Sequence, residues 1–138
     1  MKIELTSKQF RRLLDLVYIG NWILNSTRGS ERIPDFDELE SYMFSKCADF
    51  DMDSLYEVSE NGEHMPSQAF REGGIHEAIM DYEDTVFFEI LAEELAHRDM
   101  FNQGIPFGDP EELSQRIKAY IAEFEENGIN NLLMDADL

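Results

Sequence analysis

The stretch TSKQFRRLLDLVYIGNWILN, residues 6–25, decides the fold class. Thr6 followed three residues later by Gln9 is a capping box, in which two side chains satisfy backbone N–H groups at a helix start. Phe10, Leu13, Leu14, Val17, Tyr18 and Leu24 then recur at the spacing of one helix face, and Trp22 and Ile23 broaden it. Lys8, Arg11, Arg12 and Asp15 fall to the other side. Gly20 costs a helix interior about 1 kcal/mol and leaves room for another backbone to approach. Asn25 to Gly29 reads as a stop.

The same period continues along the chain. Asp35 or Asp37 caps a second helix carrying Phe36, Leu39, Met43, Phe44 and Cys47. Residues 49–68 are acidic and contain Gly62 and Pro66, so they read as an irregular loop or short helical turns. A helical region resumes near Ser67, is interrupted by Gly73-Gly74, and picks up again with Ile75, Ala78, Ile79 and Tyr82. Asp84 then caps a helix from Thr85 to Phe101, whose Phe87, Leu91 and Leu95 are expected to share one core with Trp22. Asp109, Pro110 and Glu112 open a last helix, with Leu113, Ile117, Tyr120, Ile121 and Phe124 inward and Gly128 as its stop. The tail keeps Leu132, Leu133 and Met134 and is expected to dock back. No segment reads as a strand. The spacing predicts an all-α fold, an irregular bundle of four to five amphipathic helices forming a single domain over residues 1–138.

Composition bounds the function. Hydrophobic residues make up 43% of the 138 residues, enough for a core, so disorder is excluded despite a net charge of −19. The charge is uneven. Residues 1–33 hold six basic residues against three acidic, a net of +3, and residues 34–138 hold five against 27, a net of −22. Such a field repels nucleic acid and anionic membrane, and attracts basic protein partners or divalent cations. Cys47 is the single cysteine, which excludes an intramolecular disulfide and fits a reducing compartment. With no signal-like or membrane-length apolar run, a cytoplasmic location is expected.

Four constellations bear on chemistry. Asp49, Asp51, Asp53, Glu57 and Glu60 fall at positions 1, 3, 5, 9 and 12 of a calcium loop, with Ser54 where the sharp turn needs glycine. Solvated carboxylates of an acidic chain give the same string. Glu94 and His97 form half of a di-iron ligand set, and the chain holds no second Glu-x-x-His. Arg98, at the end of its helix, suits an anionic group or a neighbouring carboxylate. Cys47 lies on an apolar face with no histidine in its helix, as buried free cysteines do. No catalytic set is present, so a non-enzymatic protein without a cofactor is expected, with calcium as the one cation the spacing admits.

The runs Leu14 to Trp22, Tyr82 to Phe88 and Leu95 to Asp99 resemble an uncharacterised family of small acidic bacterial proteins. Those proteins carry an early Val-Tyr-Leu-Gly helix and a later Tyr-Asp-x-x-Phe-Trp stretch, where this chain has Phe88 for the tryptophan. The resemblance implies a helical fold and no particular chemistry. Three functional classes remain open: a protein-interaction or regulatory domain with a large acidic surface, a mimic of nucleic-acid charge that occupies a basic DNA-binding protein, and a divalent-cation-binding protein or enzyme. The basic patch of Lys8, Arg11 and Arg12 is expected to face acidic surface within the chain or in a homodimer.

Overall fold

Thr6 opens the first helix by the predicted exchange: its hydroxyl accepts from the Gln9 backbone at 3.2 Å, and the Gln9 amide oxygen accepts from the Thr6 backbone at 2.9 Å. A computed structural model describes residues 2–105 and 108–135. In order come α1 (Ser7–Asn25), α2 (Pro34–Phe44), two single 3-10 turns (Cys47–Phe50 and Asp53–Leu55), β1 (Tyr56–Val58), β2 (His64–Pro66), the short turn α3 (Gln68–Phe70), α4 (His76–Asn102) and α5 (Pro110–Asn127). The chain is all-α, with one small two-stranded sheet. It divides into two compact units, Met1–Ile79 and Met80–Leu138.

In the first unit, α1 buries Phe10, Leu14, Tyr18, Asn21 and Asn25 along one stripe. The three apolar members pack with Phe44, Cys47, Phe70, Ile75 and Ile79, and Trp22 leans on the edge of this core. Ring contacts organise it: Phe70 meets Tyr18 edge-on at 5.3 Å and Phe44 at 4.9 Å, while Phe10 stacks on Phe50 at 4.2 Å. No close backbone approach occurs at Gly20, where an added Cβ would meet nothing within 4 Å.

Segment 49–68, expected as an irregular loop or short helical turns, holds the 3-10 turn Asp53–Leu55 and, beyond that expectation, a hairpin. Tyr56 pairs with Pro66, Glu57 with Met65 and Val58 with His64. Asn61-Gly62 is a hairpin-turn pair, and Gly62 takes a φ of 81° there. After Phe70 the helix widens over Arg71–Ile75 and kinks, because Gly73 (φ −79°, ψ 20°) and Gly74 (φ 101°, ψ −8°) leave helical geometry. This is the break that the paired glycines predict.

The second unit pairs residues 80–102 of α4 with α5. Ala92, Leu95 and Phe124 are buried, and Phe88, Leu91, Ile117, Tyr120 and Ile121 pack on them. Two expectations are corrected here. No helix begins at Asp84, since α4 runs unbroken from His76 and the Thr85 hydroxyl donates to the Asp81 carbonyl one turn back at 2.9 Å. Trp22 packs on the core of the first unit, Leu91 and Leu95 belong to that of the second, and Phe87 is 53% exposed. Asp109 caps α5, accepting from the Glu111 and Glu112 backbones at 3.1 Å each. The tail turns back only as far as Asn131, which donates to Glu123, and Leu133 is 90% exposed. Among the described residues no helix is long and apolar enough to cross a membrane.

Candidate functional site

An open cleft of about 840 Å³ lies between α2 and β2 in the first unit, with Tyr18 and Arg71 also lining it. Helical spacing explains its first wall. Pro34, Asp37, Glu38 and Ser41 share one side of α2 by helical spacing, and its C-cap Ser45 continues the row. The second wall is the strand edge His64–Pro66, preceded by Glu63. One bond sets the spacing of the walls, because the His64 backbone donates to the Ser41 hydroxyl at 3.0 Å. Arg71 donates to the Pro66 carbonyl at 2.8 Å, which spends part of its donor set on the wall.

Beneath the cleft lies a polar continuation of the α1 stripe. The Asn25 side-chain amide donates to the Asn21 side-chain oxygen at 2.8 Å and to the Ile33 backbone carbonyl at 3.1 Å, and its own side-chain oxygen accepts from the Ile33 backbone N–H at 2.7 Å. Asn21 donates onward to Asp37 at 3.0 Å. Arg32 grips the same carboxylate with two bonds, at 2.9 and 2.5 Å. That bidentate grip holds the Asp37 carboxyl below the usual range and raises the Arg32 guanidinium. Glu40 moves the other way: burial raises its pKa, against a hydrogen bond from Asn21. Tyr18 shares a 2.8 Å hydrogen bond with His76 Nε2. Burial, reinforced by the Glu40 charge, keeps the Tyr18 hydroxyl protonated above its ordinary value, while Arg71 opposes this. The His76 ring is boxed edge-on by Trp22 at 5.0 Å and Tyr18 at 5.6 Å.

The chain matches no protein-family model, no curated protein and no solved structure.

The cleft has four carboxylates in its lining, Asp37, Glu38, Glu40 and Glu63, against two guanidiniums. Arg32 is paired with Asp37, whereas Arg71 donates to a neutral carbonyl and keeps its charge. Among the described residues Glu38 and Glu63 form no ion pair. Tyr42 lines the same hollow and accepts the Lys46 ammonium on its ring face at 4.8 Å. The arrangement suits a cationic group far better than an anion.

The residues singled out from spacing lie elsewhere. Asp49 sits in the first 3-10 turn, and Asp51 closes it in the left-handed region at φ 55°. Asp53 opens the second turn and accepts from the Tyr56 hydroxyl at 3.4 Å. Glu57 is in β1, accepting from the Gln68 backbone, and Glu60 is in the hairpin turn. Two separate turns and a strand carry these carboxylates along the chain, where a calcium loop would coil them about one centre. Among the described residues no group of three or more His, Cys, Asp or Glu side chains is placed to hold a metal ion.

Lys8 and Arg12 are exposed on α1, and Arg11 turns inward over the Phe70 ring at 4.7 Å. Both arginines pair with Asp15. Arg98 pairs with Asp99, whose carboxylate also accepts from the Tyr120 hydroxyl. Cys47 is fully buried, and burial pushes its thiol up to about 11, so it is no nucleophile at neutral pH. Spacing did not reveal Asn21, Asn25, Arg32, Glu40 or His76. Two asparagines one turn apart on the buried stripe were the available signal, since buried amides need designed partners.

Proposed function

We propose that the chain is a non-enzymatic protein-recognition domain whose cleft between α2 and β2 takes a basic, extended segment of a protein partner. One observation carries this: four carboxylates, Asp37, Glu38, Glu40 and Glu63, line a cleft with two guanidiniums, of which Arg32 is already paired with Asp37. An incoming guanidinium finds carboxylate acceptors on both walls, at Glu38 and at Glu63. The negative field of the chain speeds the encounter and excludes acidic competitors.

An arginine-glycine repeat peptide tests this by calorimetric titration. Glu38→Gln/Glu63→Gln is expected to weaken binding about tenfold, the scale of one lost charge-assisted contact. Glu125→Gln/Glu126→Gln, which removes as much charge from α5, is expected to change it little. Equal losses from both pairs would mean that affinity follows total charge, and the second reading, a mimic of nucleic-acid charge, would replace the first. That reading draws on the fifteen Asp and Glu residues of Met80–Leu138, against three basic ones.

A further inference from the structure

In the second unit α4 presents two apolar rows. Phe88, Leu91, Ala92 and Leu95 belong to the seam with α5. Met80, Phe87 and Ile90, spaced seven and three residues apart, form a row on another side. They are 60, 53 and 55% exposed, and Phe87 rests edge-on against Phe88 at 5.1 Å. Glu83 and Glu94, both exposed, fall in the same row by the same spacing. Single exposed apolar residues are ordinary, whereas a row of large ones along a helix marks a contact surface.

We propose that this face of α4 docks a cationic amphipathic helix of a protein partner. Its apolar side chains would cover Met80, Phe87 and Ile90, and its lysines or arginines would meet Glu83 and Glu94. Charge complementarity selects this occupant. A second copy docked symmetrically through this face would set its own acidic row, from a unit with fifteen acidic and three basic residues, against one of the same sign. The chain's own tail from Ile129 onward is apolar and acidic and holds no Lys or Arg, so it leaves both glutamates unanswered. The inference does not depend on the cleft.

The probe is a fluorescein-labelled Leu/Lys peptide of about five helical turns with all leucines on one face. Its control has the same composition, scrambled so that no face forms. Anisotropy titration at physiological salt is expected to give at least about tenfold tighter binding of the amphipathic peptide. Phe87→Ser/Ile90→Ser is expected to reduce it to the level of the control. Glu83→Lys/Glu94→Lys, at exposed positions that preserve the fold, should also weaken it about tenfold or more. Circular dichroism melts verify that each variant folds. Glu38→Gln/Glu63→Gln should leave this binding unchanged. Equal affinity for both peptides overturns the proposal in favour of diffuse charge. A wild-type dimer that Phe87→Ser/Ile90→Ser dissociates overturns it in favour of a second copy. A gain in peptide affinity on Leu133→Ser/Met134→Ser overturns it in favour of the tail.

Discussion

Asn25 has no exposed surface, and its side chain makes three hydrogen bonds, two of them to Ile33 across the turn that leads into α2. A buried amide in that position fixes where α2 starts and therefore where Asp37 meets Arg32. Asn25→Ala leaves the Ile33 N–H and the Asn21 side-chain oxygen without these partners, while the Ile33 carbonyl keeps the Phe36 N–H, at a cost of about 1–3 kcal/mol for the first unsatisfied buried group alone. Urea denaturation measures the loss, and a change under about 0.5 kcal/mol would mean that water replaces the amide freely. Gly20 points the other way. It lies inside α1, and a Cβ there meets nothing within 4 Å. Gly20→Ala is expected to stabilise by about 0.5–1 kcal/mol, since alanine loses less backbone freedom in a helix. Thermal melts that show no gain would place a hidden constraint at that site. At this scale the sequence showed the glycine and the buried thiol of Cys47. It hid the role of Asn25, because an asparagine at a helix end reads equally as a stop and as a clamp, and only the partner Ile33 distinguishes them.

Among the elements, α1 and α5 were legible because both carry strong local signals, the Thr6–Gln9 box in one and Asp109-Pro110 in the other. The hairpin was not. Three residues per strand are too few for alternation to accumulate, and its acidic composition pointed to a loop. The candidate cleft depends on that hairpin for a whole wall, so most of the site was illegible with it. The kink before α4 was legible from Gly73-Gly74, and it makes a sharp prediction. Gly74 takes a φ of 101°, closed to ordinary side chains, whereas Gly73 stays at −79° with the Arg11 guanidinium 3.9 Å from a built Cβ. Gly74→Ala is expected to cost about 1–3 kcal/mol in backbone strain. Gly73→Ala should cost distinctly less. Equal effects in paired denaturation curves would show that the kink relaxes into continuous helix.

Over the whole molecule the net charge of −19 opposes compaction, and specific carboxylates superimpose their own pH dependence on it. Asp37 is held low by Arg32, and Asp99 is held low first by the Tyr120 hydroxyl. Each contributes stability above the ordinary aspartate value of about 3.9, and that contribution is lost as pH falls through the depressed value. Glu40 has the opposite sign. Burial raises its pKa, so its ionised form is less favourable in the folded chain than in the unfolded one. That penalty is complete above the raised value and disappears as pH falls through it towards the ordinary glutamate value of about 4.3. Relief of general repulsion acts in the same direction. Stability is therefore expected to rise on acidification from neutrality, to peak just above the ordinary carboxylate range, and to fall below it. Adding salt at neutral pH should raise the melting temperature, because screening to about 10 Å at 0.1 M weakens the general repulsion but acts little on a half-buried group. Glu40→Gln separates the two causes. The variant should melt higher than wild type at neutral pH and gain less on acidification, while its response to salt stays the same. Parallel stability profiles for the two proteins would show that the acidic rise belongs to net charge alone, and that Glu40 is as well solvated as any surface carboxylate.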